Sequence, residues 1–255
     1  QNEIGQVDFK QIFSYLIMQS ICGIIAYLIT SKYFKRSIPE SIIWALTVAL
    51  SNHVTLLLPI TEIYFQQNVI TQVASIILMD GIILLSIIAF FLELSTKKNV
   101  NLFHFIKNLF LNPFILSIII GLLFLLLNFN IDQTPIEYTL SKLAACVSPV
   151  GLFAIGIILS FYTKNVINKL SVSISVLKLV ISPIILLLIG LVFFNAGLPA
   201  EIPGAFFVSV APCGVTSIVL CAAYNVSPEN IIKAIFVSTI ASIGTIFFAI
   251  KYLTL

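Results

Sequence analysis

The chain has 255 residues, 60% of them hydrophobic and 9% charged, with a formal net charge of +3 and a mean hydropathy of +1.14. A soluble domain carries roughly 25% charged residues, and a fold of this length has no place to hide so much apolar surface from water. The composition therefore excludes a soluble globular domain and points to an integral membrane protein. Nucleic acid is not expected as a partner.

A spanning helix needs about 20 apolar residues. Such stretches fall near 11–31, 39–61, 69–94, 112–130, 136–161, 172–195, 204–224 and 231–253, giving eight expected spans. Gln1 to Lys10 is polar and acidic and reads as a loop between helices, so the chain is expected to be a fragment. Basic residues gather on every second loop. Lys32, Lys35 and Arg36 follow the first span, Lys97, Lys98 and Lys107 the third, and Lys164 and Lys169 the fifth, while Lys233 begins the eighth. The alternate loops carry Glu62, then Asp132 and Glu137, then Glu201. By the positive-inside rule the basic loops are cytoplasmic and both ends of the chain lie outside. A bacterial inner membrane is the expected location.

Between the third and fourth spans, Leu102, Phe103, Ile106, Leu109 and Phe110 share one helical face over Asn99 to Phe110. This spacing predicts an amphipathic helix lying in the cytoplasmic interface. The alternative is a loop packed on the bundle. The segment divides the chain into 1–111, with three spans, and 112–255, with five.

The second and seventh spans are interrupted. One holds Ser51-Asn52-His53 and Pro59, the other Ala211-Pro212-Cys213-Gly214. Each break exposes backbone groups that cost several kcal/mol in hydrocarbon unless they are buried in protein or face water. Either alone could be a proline kink. Their matched placement, 160 residues apart, points to a transporter binding site. Pro39 and Pro199, Ala45 and Ala205, and Tyr64 and Tyr224 repeat at the same offset. A five-helix repeat is inverted across the membrane, which implies two further helices before Gln1.

Half-helices that start at the breaks offer N–H groups and positive dipole ends to an anion. The expected substrate contacts are Asn52, His53, Thr55, Pro59, Pro212, Cys213, Gly214 and Thr216, with Ser217 nearby. Gly214 would let a ligand approach the backbone. His53 is either a ligand or proton-handling group, or a histidine bonded to a carbonyl freed by the break. Asp80, near the middle of the third span, costs roughly 2.5–3.5 kcal/mol on insertion scales. It is expected to couple protons or cations or to hold two spans together, with Lys178 or Lys142 as its partner. Lys142 is expected to snorkel to the interface. Pro149 and Pro183 read as kinks. Ser238, Thr239, Ser242 and Thr245 read as small-residue helix packing. Cys22, Cys146, Cys213 and Cys221 sit in apolar segments without metal spacing and read as buried hydrophobes. No Walker A, G-x-S-x-G or H-E-x-x-H motif occurs, so no enzyme, resident metal or ATP site is expected, and energy would come from gradients of protons or sodium unless a separate subunit supplies it.

Several stretches in order resemble the auxin efflux carrier family of membrane transporters, which includes bacterial malonate and malate permeases. They are Ser51-Asn52 through Pro59, Asn112-Pro113, Ser148 through Gly156, Lys178-Leu179 through Pro183, Ala211-Pro212 through Ala222, and Ser238-Thr239 with Ser242. The resemblance implies an all-α membrane fold of ten helices, eight of them present here, in two inverted five-helix repeats with crossing broken helices. That layout is shared with sodium/proton antiporters and bile-acid transporters. It implies a scaffold over 112–161 and a mobile core over 11–94 and 172–255. Two departures stand out: bulky His53-Val54-Thr55 and Leu57 where small residues are usual, and Gly214 where alanine is usual.

The expected function is a secondary transporter of a small organic anion, in particular a carboxylate, working by alternating access, with Asp80 and Lys178 in coupling. The partners are that anion, the bilayer and a second copy in a homodimer. The alternatives are a membrane sensor with the same pocket and a sodium-coupled bile-acid-type carrier.

Overall fold

A computed structural model describes residues 8–96, 110, 113–127, 129, 131, 133–162, 165–194 and 199–254. The amphipathic segment at 99–109, together with Asn112, Asp132 and the basic residues Lys97, Lys98, Lys107 and Lys164, lies outside the described residues.

Among the described residues the regular elements are helical. They are α1 (Phe9–Leu28), α2 (Ile38–Ala49), α3 (Leu58–Tyr64), α4 (Gln67–Met79), α5 (Leu85–Thr96), α6 (Pro113–Leu126), α7 (Pro135–Ser160), α8 (Lys169–Val176), α9 (Ser182–Phe194), α10 (Pro203–Ser209), α11 (Thr216–Ala223) and α12 (Glu229–Thr254). One-turn π-helical segments at Ile29–Tyr33, Asp80–Leu84 and Leu177–Ile181 extend α1, join α4 to α5 and join α8 to α9. Another, His53–Leu57, leads into α3. Such turns often mark functional positions in a helix.

Helix starts follow the local sequence. Asp8 accepts from Lys10 N, Ser37 from Glu40 N, and Thr134 from Glu137 N. Asn168 and Ser171 form a reciprocal box at α8. Ile202, at the start of α10, has no capping side chain of its own. Instead Gln72 Oε1 accepts from Gly204 N at 3.1 Å and Gln11 Oε1 accepts from Ala205 N at 3.2 Å. α1 and α4 thus cap α10 from outside.

Five continuous helices are long and apolar enough to cross a membrane: Phe9–Tyr33, Gln67–Thr96, Pro135–Ser160, Lys169–Phe194 and Glu229–Thr254. The expected spans 39–61 and 204–224 are each two short helices separated by a break, and 112–130 contributes the shorter α6. The order of long helix, broken helix, long helix therefore occurs twice, over 9–96 and over 169–254.

The core gathers around the first break, where Tyr15, Met18, Cys22, Trp44, Leu46, Leu57, Ile174, Leu177 and Phe207 are almost fully buried. α1 packs along α2 and α9, and α8 packs along α12. By contrast α7 buries none of its residues, although Pro149 lies within it and the helix runs on. Phe9, Ile24, Phe153, Phe193, Ile243 and Phe247 are each more than half exposed, as suits a chain whose surroundings are hydrocarbon.

Candidate functional site

The two breaks meet. Ser51 and Cys213 pair as an antiparallel bridge. Asn52 N donates to Pro212 O at 2.9 Å, and Gly214 N donates to Leu50 O at 2.8 Å. Gly214 N also lies 3.2 Å from Thr47 O. The unwound backbone of each segment thus supplies partners to the other, as backbone at membrane depth requires. This differs in one respect from the reading of Gly214 as a place for a ligand: a β-carbon there would lie 2.8 Å from Leu50 O, so its bareness admits the chain's own backbone.

Ser51 is the hub of the first break. Its hydroxyl donates to Val208 O at 2.9 Å. With that hydrogen committed, its oxygen accepts from Lys178 Nζ at 2.8 Å and from Tyr15 OH at 3.2 Å. Lys178 is fully buried, and its ammonium also donates to Val48 O at 2.9 Å. A cation there answers the negative end of the α2 dipole and one of its orphan carbonyls.

Asp80 is fully buried in the π-helical turn between α4 and α5. Its Oδ2 lies 3.0 Å from His53 Nε2, on the turn that leads into α3. Neither lysine considered as its partner bonds to it. Lys178 is tied instead to Ser51 and Val48. Lys142 is exposed and lies over the Tyr138 ring. His53 Nδ1 and Asp80 Oδ1 are both buried without a hydrogen-bond partner.

The second break is held by α12. Ser238 Oγ accepts from Cys213 N at 3.2 Å, and Thr245 Oγ1 donates to Val210 O at 2.9 Å. These two residues stand two turns apart on one face, and the spacing was the available signal for a role beyond packing. Ser242 donates to its own helix at Thr239 O.

Of the predicted contacts, Asn52, His53, Pro212, Cys213 and Gly214 are buried together at the crossing, while Thr55, Pro59 and Thr216 are half-buried at its margins. Thr55 Oγ1 donates to Asn52 Oδ1, which turns the Asn52 amide nitrogen the other way. α7 touches the same turn: Ser148 Oγ donates to Thr55 O at 2.6 Å, and Gly151 leaves a gap that a β-carbon would close to 2.8 Å from Thr55 Cγ2. Sequence reasoning gave no role to Tyr15, Ser148 or Gly151. Two cavities lie elsewhere among the described residues. One, of about 460 Å³, is lined by Tyr64, Gln66, Asn68 and Pro203 among others; the second, of about 340 Å³, includes Leu159, Tyr162 and Phe236. Leu253 of the first and Phe236 of the second lie on α12 about 26 Å apart along its axis. The crossing residues line neither.

The family model described as membrane transport protein, that of the auxin efflux carriers, matches residues 5–250, nearly the whole chain. The chain belongs to that family and is a membrane transporter. No curated protein matches it significantly.

Proposed function

We propose that this membrane transporter is a secondary carrier of a small organic anion of the carboxylate class, working by alternating access, with the anion bound at the crossing of the two breaks. The observation that carries the reading is the antiparallel pairing of Ser51 with Cys213. It brings together two places where a helix starts again at depth, and helix starts favour negative charge. Asn52 N, Cys213 N and Gly214 N are spent on internal bonds. The donors expected to meet a carboxylate are therefore the first turn of α11 at Thr216, the turn at His53–Leu57 with Thr55, and the Asn52 amide nitrogen. Pro59, in the first turn of α3, and Pro212, within the second break, each lack the N–H that would carry a regular helix through the preceding turn.

Residues 112–161 would act as the scaffold, and the broken helices with their flanking long helices would move against it. The contact of Ser148 and Gly151 with the Thr55 turn supports that division. Lys178 would serve as the fixed positive charge of the site and Asp80 as its coupling group. The sodium-coupled reading is less favoured, because an ammonium already sits at the carbonyl end of α2. The cytoplasmic membrane of a bacterium, with both ends of this chain outside, and a homodimer complete the proposal.

The test is binding and uptake of lactate, malonate, malate and indole-3-acetate by the protein in nanodiscs and proteoliposomes. Bound ligand raises thermal stability by mass action. Asn52→Leu combined with Pro212→Leu should abolish uptake. Normal uptake in that double variant would sink the assignment.

A further inference from the structure

The buried charges at the crossing can be counted. Asp80 and Lys178 are both fully buried, and with both ionised they contribute one negative and one positive charge. Lys233, another buried charge among the described residues, is paired with Glu229 at the start of α12, 2.6 Å away. Of the other elements packed on the His53 and Asp80 turns, α3 carries Glu62, which is exposed and about 13 Å along the helix axis from His53. α4 and α6 carry no charged side chain. On α5, Glu93 is about 20 Å along the helix axis from Asp80. On α7, Lys142 and Glu137 lie at least a turn and a half before Ser148. Tyr15 shares the Ser51 hydroxyl with Lys178.

With Asp80 ionised, His53 Nε2 carries a hydrogen and donates to Oδ2. Nδ1 then holds a lone pair, buried and without a partner. In this state the crossing is neutral overall: Asp80 balances Lys178, and His53 is uncharged. A carboxylate arriving here makes the crossing net negative inside a low-dielectric interior, which is costly. One proton on His53 Nδ1 restores neutrality. An N–H bond forms at the Nδ1 lone pair as an O–H bond of hydronium or of a buffer acid breaks, and the proton returns to water when the anion leaves.

From this we infer that His53 Nδ1 is the proton-binding atom of the carrier, that one proton binds there with each monoanion, and that Lys178 serves as the tethered counter-charge that sets the ratio. The inference rests on the carboxylate reading above and deepens it: the coupling ion is a proton, and its seat is the His53–Asp80 pair on the mobile break.

The test is calorimetric titration of lactate and of indole-3-acetate into the purified protein in nanodiscs. Buffers of different ionisation enthalpy give the number of protons taken up. Wild type should take up about one proton per bound monoanion. Asp80→Asn leaves Lys178 uncompensated, so the anion itself restores neutrality: no proton uptake, and affinity held or raised. His53→Gln keeps the Asp80–Lys178 balance without a proton seat: no proton uptake, and affinity lowered about tenfold or more. Nitrogen NMR of His53 in a His104→Asn background gives a readout independent of both variants' folding. It should show a neutral ring with hydrogen on Nε2 before anion and an imidazolium after. Binding by wild type without proton uptake, or an imidazolium already present before anion, overturns the inference and leaves the carboxylate reading standing. Failure of both monoanions to bind overturns both.

Discussion

Ser51→Ala removes the hub of the first break. The Ser51 hydroxyl makes three bonds, to Val208 O at 2.9 Å, Lys178 Nζ at 2.8 Å and Tyr15 OH at 3.2 Å. All four residues are almost fully buried, so water cannot stand in. A bond to a charged group contributes about 1.5–3 kcal/mol and a neutral one about 1 kcal/mol. Loss of the Lys178 bond together with two neutral bonds gives a destabilisation of about 3–5 kcal/mol, near the upper end for single substitutions. Tyr15→Phe removes only the 3.2 Å bond and should cost about 1 kcal/mol. In the double variant the Tyr15 loss is already counted, so the two costs should fall short of adding by about 1 kcal/mol. The assay is equilibrium unfolding in bicelles with added dodecyl sulfate for wild type, both singles and the double. If Ser51→Ala costs no more than Tyr15→Phe, or if the two costs simply add, Ser51 is not the junction described and the ammonium of Lys178 has another anchor.

Three further outcomes follow from other contacts. Gly214→Ala should destabilise by about 2–4 kcal/mol, because the new methyl meets backbone at Leu50 O and must push apart the chain carrying two buried backbone bonds; an unchanged unfolding midpoint would refute the close crossing. Gln11→Ala and Gln72→Ala each take away the acceptor of one backbone N–H at the start of α10, and each should cost about 1 kcal/mol in the same unfolding assay. Gly151→Leu fills the gap between α7 and the Thr55 turn. The added side chain overpacks a contact where a β-carbon alone would lie 2.8 Å from Thr55 Cγ2, so it should cost about 1–3 kcal/mol and cut uptake at least tenfold; wild-type stability and uptake would refute the close approach of α7 to this turn.

The interruptions were legible because proline, glycine and asparagine inside apolar runs have few innocent readings. Asp80 was legible by its cost in hydrocarbon. Its partner was not. Charge complementarity favoured a lysine, and nothing in a helical period of 3.6 anticipates a π-helical turn. Each such turn inserts one residue and rotates the face that follows by about 100°. Three of these turns carry His53, Asp80 and Lys178 themselves, so helical-wheel reasoning fails where the charged groups sit. Tyr15 was hidden for a different reason: a tyrosine in an apolar helix gives no hint of a bond to a residue 36 positions away. The reading of 99–110 as an interfacial helix and the inverted five-helix repeat rest on the sequence pattern.

The two breaks are stitched by different chemistry, and this separates their roles. Both buried charges at the crossing reach the first break: Asp80 through His53, and Lys178 through Ser51 and Val48 O. The second break is held by neutral hydroxyls of α12, at Cys213 N and Val210 O. Removing these hydroxyls should therefore loosen the crossing without touching its proton balance. Ser238→Ala leaves the buried Cys213 N–H without its acceptor, at about 1–3 kcal/mol, and Thr245→Val removes a donor from Val210 O, at about 1 kcal/mol. Together they should lower stability by about 2–4 kcal/mol, while the number of protons taken up with each lactate stays as in wild type. A changed proton count in the Ser238→Ala, Thr245→Val variant would mean that the second break shares in charge handling, and the division argued from the positions of Asp80 and Lys178 would fail.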